Sequence, residues 1–420
     1  MQHKFLKMTG CSSILLYHKK IKITERIQLM FLTLISNLPT VLLNLIIGST
    51  LLVVQLRLKD AGINNTLITV AFSGWAIMSA ATAFAVGKFL TERNALRFLV
   101  ASSCMMICAF IGLLILPTPG MQFFWLALIG LATALFCAPV QVFLKKLQKG
   151  KSQGLVKASA FYSASWTLGM AVGALLFARL ANYFSHAWQM IFAINIALSL
   201  LMLILPLTAQ AIAGKESRDA GENIETEDPY AGKPDLALFG WVLTVAAFAA
   251  VAAFRNLMPT QGRDANLSEV HVGQLVAVLY FTHSIVSVLL SRSKDWMYRR
   301  TTVCISAVCA VIGLLIYILA FGNLFLMYAG AVLIGYFSGI VGFCLVFYSL
   351  ANPVRAPKYV AVNEVVVGLT NTLTPILLVG LLVKWTGQVN LPYIVLILMA
   401  VLAIGSGFCF IRDDRRRVQD

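Results

Sequence analysis

The feature that most constrains the fold is a series of long segments without a charged residue. These charge-free segments are Ile27–Leu56, Ala61–Gly87, Phe98–Phe143, Leu180–Gly214, Leu236–Phe254, Thr301–Val354, Val365–Val383 and Trp385–Ile411. About 20 consecutive apolar residues span a bilayer as a helix. Within the hydrocarbon every backbone polar group must be satisfied internally, which a helix does by itself. We therefore predict an all-α integral membrane protein.

Composition supports this class, because 59% of the residues are hydrophobic and only 12% are charged, whereas soluble domains are about 25% charged. The turn residues at 117–120 and 322–323 divide two of the longest segments into two helices each. Twelve helices are predicted, at 31–56, 66–89, 97–116, 121–144, 155–181, 188–208, 236–257, 270–291, 301–320, 323–349, 357–383 and 390–411.

Lysine and arginine concentrate on one side of the predicted membrane. With a cytoplasmic N-terminus, the cytoplasmic segments hold 27 of the 33 Lys and Arg residues and the outer segments hold 6. By the positive-inside rule both termini are predicted to be cytoplasmic, in the plasma membrane (the inner membrane of a bacterium). This asymmetry and anionic lipid account for the net charge of +16 without a nucleic-acid partner. We expect a monomer in the lipid bilayer.

The chain divides into two halves joined by a polar linker. The predicted segments are a basic N-tail at 1–28, a six-helix half at 29–208, a linker at 209–235, a second six-helix half at 236–411 and a C-tail at 412–420. The linker holds seven acids, which is typical of a disordered or loosely helical connection.

The two halves repeat each other weakly. A short loop in which an acid precedes an arginine follows helix 2 and recurs after helix 8, and the starts of helices 5 and 11 recur at nearly the same spacing. In this register Tyr162 is equivalent to Asn363, and Ser163 is equivalent to Glu364. Six-helix repeats at one spacing predict two halves related by an axis along the membrane normal.

These features resemble the major facilitator superfamily of transporters. The glycine, acid and arginines of the loop at 87–97 are similar to its signature between helices 2 and 3. The glycine-rich segment Trp166–Gly173 resembles helix 5 of its efflux members, and Trp188–Asn195 is similar to its usual start of helix 6. The resemblance implies transport by alternating access, with the site between the halves near the middle of the membrane. Helix 4 carries Gln141 where many proton-coupled exporters carry an arginine.

The resemblance also implies a cytoplasmic latch, in which an acid at a helix end pairs with arginine and with a helix N-terminus. The residues in question are Glu92, Arg93, Arg97, Asp295, Arg299 and Arg300. The alternative is that these charges only anchor the loops on the cytoplasmic side.

Glu364 is the only one of the 17 acids that lies well inside an apolar segment. A buried charge there costs roughly 2.5–3.5 kcal/mol on insertion scales. Gly368, Asn371 and Pro375 follow on the same helical face, and Asn363 widens this polar strip. Either Glu364 binds a cation or takes a proton, or it forms a structural hydrogen bond that holds helix 11 to a neighbour.

Helix 5 places Tyr162, Trp166, Gly169 and Gly173 on one face. The aromatic residues are candidates for a wall against an apolar or cationic solute, whereas the glycines favour close helix packing. The alternative for Trp166 is that it only fills space.

Two further polar residues lie deep in predicted helices, and each has two interpretations. Asn44 in helix 1 either contacts the solute or bonds a neighbouring helix. His283 in helix 8 either titrates during transport or hydrogen-bonds a neighbouring helix.

No enzyme, zinc or phosphate-loop signature occurs in the sequence, so we expect neither catalysis nor a cofactor. The leading hypothesis is a secondary transporter of a small organic solute, with protons as a second candidate ligand. A non-transporting sensor or scaffold of the same fold is the alternative. Export of an amphipathic solute is favoured over sugar or phosphate uptake, since the chain has one deep acid and few buried amides but 26 Phe and 14 Met.

The first prediction concerns orientation. A cysteine placed in the loop at 145–157, in a background whose eight native cysteines are replaced, should be shielded from an impermeant thiol reagent in intact cells. A cysteine near the outer residue Lys384 serves as the accessible control. Labelling of the first position in intact cells would reverse the predicted topology.

Overall fold

The structure, a computed structural model, describes most of the chain. The described residues are 34–51, 53–54, 57–58, 61–63, 65–147, 154–183, 187–219, 233–264, 267–293, 296–352, 354–388 and 390–410. The predicted tails at 1–28 and 412–420 lie outside them.

The described residues form twelve helices and no strand. In chain order these are α1 (Leu34–Leu51), α2 (Asn65–Val86), α3 (Ala95–Ile115), α4 (Pro119–Leu147), α5 (Gly154–Tyr183), α6 (Ala187–Asp219), α7 (Ala237–Asp264), α8 (Glu269–Leu290), α9 (Arg300–Leu319), α10 (Leu324–Ala351), α11 (Ala356–Thr374, continued through Pro375–Leu382 and Val383–Thr386) and α12 (Leu391–Phe410). Within the described ranges, nine helical segments are long and apolar enough to cross a membrane. The prediction of an all-α, twelve-helix membrane protein is confirmed.

The main difference from the predicted boundaries is at the end of α6. This helix continues to Asp219, so the first part of the predicted linker at 209–235 is helical. Alanine, glutamine, lysine and glutamate together make up six of the eleven residues at 209–219, and they favour a helix even where the segment is no longer apolar. Residues 220–232 of the linker lie outside the described residues.

Pro375 changes the geometry of α11 from within. From Pro375 to Leu382 the helix has π-helical turns, and it returns to α-helical turns at Val383. A proline has no backbone N–H, and its ring clashes with the preceding turn of an α-helix. Wider turns accommodate both effects, so the helix continues across the proline.

Glycines allow the closest helix contacts inside the N-terminal half. A Cβ atom on Gly169 would collide with the carbonyl oxygen of Val41, and one on Gly173 would lie 2.5 Å from that of Leu45. The backbones of α5 and α1 therefore approach more closely than larger side chains would permit.

The two halves meet mainly where α2 packs on α11 and where α5 packs on α8, and α4 and α5 also contact α10 and α11. The α2–α11 contact is built from small residues. A Cβ atom on Gly368 would lie 2.9 Å from the Cβ of Ala80, and one on Gly87 would lie 2.6 Å from that of Ala361. This arrangement brings α4, α5, α8, α10 and α11 around the centre of the protein.

The glycine contacts predict a difference between two Gly→Ala variants. Gly169→Ala forces a methyl group against backbone and should lower the free energy of unfolding by about 1–3 kcal/mol. Gly74→Ala is the matched control, because Gly74 lies within α2 and has open space around its Cβ position. Its helix propensity should leave stability unchanged or raise it by up to about 1 kcal/mol. Thermal unfolding of both purified variants tests this, and equal midpoints would contradict the close α1–α5 contact.

Candidate functional site

Glu364 joins the two halves of the protein. It lies on α11, and its Oε1 accepts a hydrogen bond from Nε2 of Gln141 at 2.8 Å and one from the hydroxyl of Tyr162 at 3.3 Å. Gln141 belongs to α4 and Tyr162 to α5. Both donors therefore come from the N-terminal half, whereas the acceptor belongs to the C-terminal half.

A small cavity of about 30 Å³ lies beside this contact. The predicted site residues that line it are Tyr162, Trp166, His283, Asn363 and Glu364. Lining residues that the sequence analysis did not propose as site residues include Gln141, Ser163 and Phe248. The space is enough for about one water molecule and is too small for an organic solute.

Gln141 is the partner of Glu364 that the sequence analysis did not identify. Its side chain is 1% exposed, and Nε2 also donates to the carbonyl oxygen of Cys137 at 3.1 Å. Its own oxygen, Oε1, is buried without a hydrogen-bond partner. The available signal was a deep amide on helix 4, but nothing in the sequence indicated which helix it would face.

His283 makes a second contact between the halves. Its Nε2 is hydrogen-bonded to Ser163 at 3.0 Å and its Nδ1 to Ser338 at 3.0 Å. Gly342 leaves the room for the ring, since a Cβ atom there would lie 2.7 Å from Cε1 of His283. Ser287 also donates to Ser163 at 3.0 Å. The ring is therefore held between α5, on one side of the interface, and α8 and α10, on the other.

Hydroxyl groups continue along the α5–α8 interface. The hydroxyl groups of Thr167 and Ser284 are hydrogen-bonded at 2.6 Å. The hydroxyl of Ser284 also lies within hydrogen-bond distance, 3.1 Å, of the carbonyl oxygen of Ala164 on α5. Single Ser and Thr residues are common in membrane helices and can bond their own backbone, so the sequence analysis gave them no role. The usable signal was the four-residue spacing of Ser163 and Thr167, which places two hydroxyls on one face of α5.

Trp166 forms an aromatic cluster across the same interface. Its ring centroid lies 5.6 Å from that of Phe248, 6.1 Å from that of Tyr280 and 6.2 Å from that of His283. These partners belong to α7 and α8. The predicted aromatic wall on helix 5 therefore faces the C-terminal half, and Phe248 and Tyr280 extend it.

Asn363 lines the cavity, but its amide is used within the C-terminal half. Its Oδ1 accepts hydrogen bonds from Nε1 of Trp241 at 2.7 Å and from the hydroxyl of Ser349 at 2.8 Å. These bonds tie α11 to α7 and α10, next to Glu364.

Asn44 and Asn371 are not among the residues that line the cavity. Asn44 donates to the carbonyl oxygen of Thr40 at 2.8 Å and lies against Gly169 at the α1–α5 contact. Asn371 donates to the carbonyl oxygen of Val367 at 3.0 Å, within its own helix. The polar strip predicted on helix 11 is therefore divided, with Glu364 at the cavity and Asn371 bonded to its own backbone.

Three of the predicted latch charges lie between the end of α2 and the first turn of α3. Glu92, Arg93 and Arg97 are exposed, and Glu92 forms no ion pair with a described residue. Asn94 orders this loop instead, because its Oδ1 accepts from the backbone N–H of Thr91 at 2.7 Å and its Nδ2 donates to a backbone carbonyl at 2.6 Å.

The remaining latch residues follow α8. Asp295 lies outside the described residues, whereas Arg299 precedes α9 and Arg300 begins it. Glu92 also lines an open cavity of about 430 Å³, together with Lys145 and Lys358. The latch stays a prediction.

Comparison with known proteins identifies the family. No curated protein matches the chain. Among solved structures, the human organic anion transporter MFSD10 (TETRAN) is similar with a TM-score of 0.67 over 90% of this chain and 99% of that chain, at 11% sequence identity, which shows a shared fold. Residues 29–238 match the sequence model of the Major Facilitator Superfamily. The chain belongs to the major facilitator superfamily, a family of membrane transporters.

Proposed function

We propose that the protein is a secondary active transporter that exports a small, amphipathic organic solute by alternating access, coupled to protons. Both termini of the protein are proposed to lie in the cytoplasm. The plasma membrane, which is the inner membrane of a bacterium, is the proposed location. The observation that carries the proposal is the bonding of Glu364 to Gln141 and Tyr162 of the opposite half.

Convergence of polar groups supports transport over a scaffold or sensor role. A scaffold of this fold would scatter its buried polar residues among packing contacts. Here Glu364, Gln141 and His283 line one cavity between the halves. Transporters of this type bind solute and coupling ion in that place, near the middle of the bilayer.

The contact supplies a physical reason for coupling. Both donors to Glu364 leave with the N-terminal half when the halves separate at this point. An ionised carboxylate without a partner is costly in an apolar environment. The carboxylate then needs a proton, water or a group of the solute, so that opening of the cavity is linked to what Glu364 binds.

Export of an amphipathic solute is proposed from the composition of the transmembrane segments. The cavity presents the aromatic rings of Trp166 and Phe248 beside one carboxyl group. Sugar sites need many amides and acids, and phosphate sites need buried arginine or lysine. Neither set lines this cavity.

The test is Glu364→Gln, which keeps the shape and removes titration. A solute is first identified by its thermal stabilisation of the purified wild-type protein. In proteoliposomes, transport of this solute driven by a pH gradient should be lost in the variant, whereas exchange of the solute without a gradient should be partly kept.

Glu222→Gln, in the predicted linker, is the matched control and should behave like the wild type. Full gradient-driven transport by Glu364→Gln would rule out the coupling role. Loss of folded protein from the membrane would instead show that the carboxyl group mainly packs α11 against α4 and α5.

A further inference from the structure

Two oxygen atoms of the residues that line the central cavity accept no hydrogen bond from a described residue. Gln141 uses both hydrogens of Nε2, on Cys137 and on Glu364, and its buried Oε1 has no partner. Oε2 of Glu364 accepts no hydrogen bond from a described residue, since both of its donors reach Oε1. A reversed amide of Gln141 would place its oxygen against two acceptors, so the orientation is fixed by its neighbours.

The remaining lining supplies no cation to these oxygens. No lysine or arginine lines the cavity among the described residues. Each ring nitrogen of His283 is already hydrogen-bonded to a serine hydroxyl. A bound group must therefore bring its own N–H or O–H donors, and a positive charge on that group would make these bonds stronger.

Aromatic residues also line the cavity. Trp166 and Phe248 line it, with their ring centroids 5.6 Å apart, and Tyr280 packs edge-on against Trp166 at 6.1 Å. Aromatic faces attract cations and pack well against apolar rings. The lining residues thus combine a carboxylate, an amide whose oxygen has no partner, and aromatic rings.

We propose that the solute is an organic ammonium ion with an aromatic or lipophilic body, and that its N–H groups bond Glu364 and Gln141 while its body lies on Trp166 and Phe248. This inference rests on the proposed transport function. Drug-sized ligands need pockets of about 300–1,000 Å³, so the cavity must widen to admit one. Widening moves Gln141 and Tyr162 away from Glu364, and the ammonium replaces them as donors to Oε1.

The proposed charge is opposite to that in the name of the similar human structure, which is called an organic anion transporter. At 11% identity that likeness shows the fold alone, and the binding residues of this chain must be considered by themselves. An organic anion would meet Glu364 and the unpaired oxygen of Gln141 with no counter-charge in the described lining.

Three probes with one aromatic body separate charge from hydrogen bonding. They are 1-naphthylmethylammonium, its N,N,N-trimethyl form, which keeps the charge and loses the N–H donors, and 1-naphthylacetate, which is an anion. Binding to the full-length protein in nanodiscs is measured by equilibrium dialysis with naphthalene fluorescence, against empty nanodiscs. The primary ammonium should bind about tenfold more tightly than either other probe.

Two variants locate the binding. Glu364→Gln should weaken binding of the ammonium by about tenfold or more, while Glu222→Gln should bind it like the wild type. Tyr162→Phe removes one donor that competes for Oε1 and should bind the ammonium more tightly, whereas a packing defect would weaken it. Thermal unfolding of each variant establishes that it is folded, and Tyr162→Phe tests the site independently if Glu364→Gln is unstable.

Equal or tighter binding of the naphthylacetate, absence of ammonium binding, or unchanged ammonium binding in Glu364→Gln would overturn the inference. Weaker ammonium binding in a folded Tyr162→Phe would also overturn it. If the protein exports another solute in proteoliposomes but fails these binding tests, the proposed transport function stands and the ammonium proposal is overturned. If the binding tests give the expected results but the ammonium is not transported, the binding site stands and the transport proposal is overturned.

Discussion

The structure depends on one constraint, which is that a polar group within hydrocarbon must find a partner inside the protein. Backbone groups meet it by forming helices, and hydroxyl groups meet it by bonding their own helix. A carboxylate accepts hydrogen bonds and must obtain donors from elsewhere. Glu364 obtains them from Gln141 and Tyr162, both on Oε1, so these donors are present only when the two halves lie together.

The hydroxyls at the α5–α8 interface differ from Glu364 in this respect. The hydroxyl groups of Thr167 and Ser284 are hydrogen-bonded to each other across the interface. The hydroxyl of Thr167 can also donate to the carbonyl oxygen of Ser163 at 3.1 Å, and the hydroxyl of Ser284 to that of Tyr280 at 3.1 Å. Both hydroxyls keep an acceptor in their own helix when the halves move apart. Separation at this interface therefore leaves these two hydroxyls with an acceptor, whereas Glu364 would lose both of its donors.

The sequence predicted the helices and several of the residues that line the cavity, because these predictions need only the pattern of residues within a single segment. Charge-free segments placed the twelve helices, and the position of Glu364 in such a segment identified it as the exceptional residue. Helical spacing also placed Tyr162 and Trp166 on one face. Spacing does not determine which helices become neighbours, so the pairing of Gln141 with Glu364 was not foreseen. Helical spacing also did not indicate that the amide of Asn371 donates to the carbonyl oxygen of Val367 in the same helix.

The weak internal repeat gives the site its asymmetry. Ser163 and Glu364 are equivalent in the predicted repeat, and each bonds a residue of the other half. Ser163 bonds His283 of α8, while Glu364 bonds Gln141 and Tyr162. The positions are alike in place but not in chemistry, since a serine hydroxyl stays neutral and a carboxyl group can gain or lose a charge. Of these two positions only Glu364 can change its own charge, so the proposed proton or ammonium ion acts on α11, while the hydroxyl of Ser163 contributes a neutral hydrogen bond between the halves.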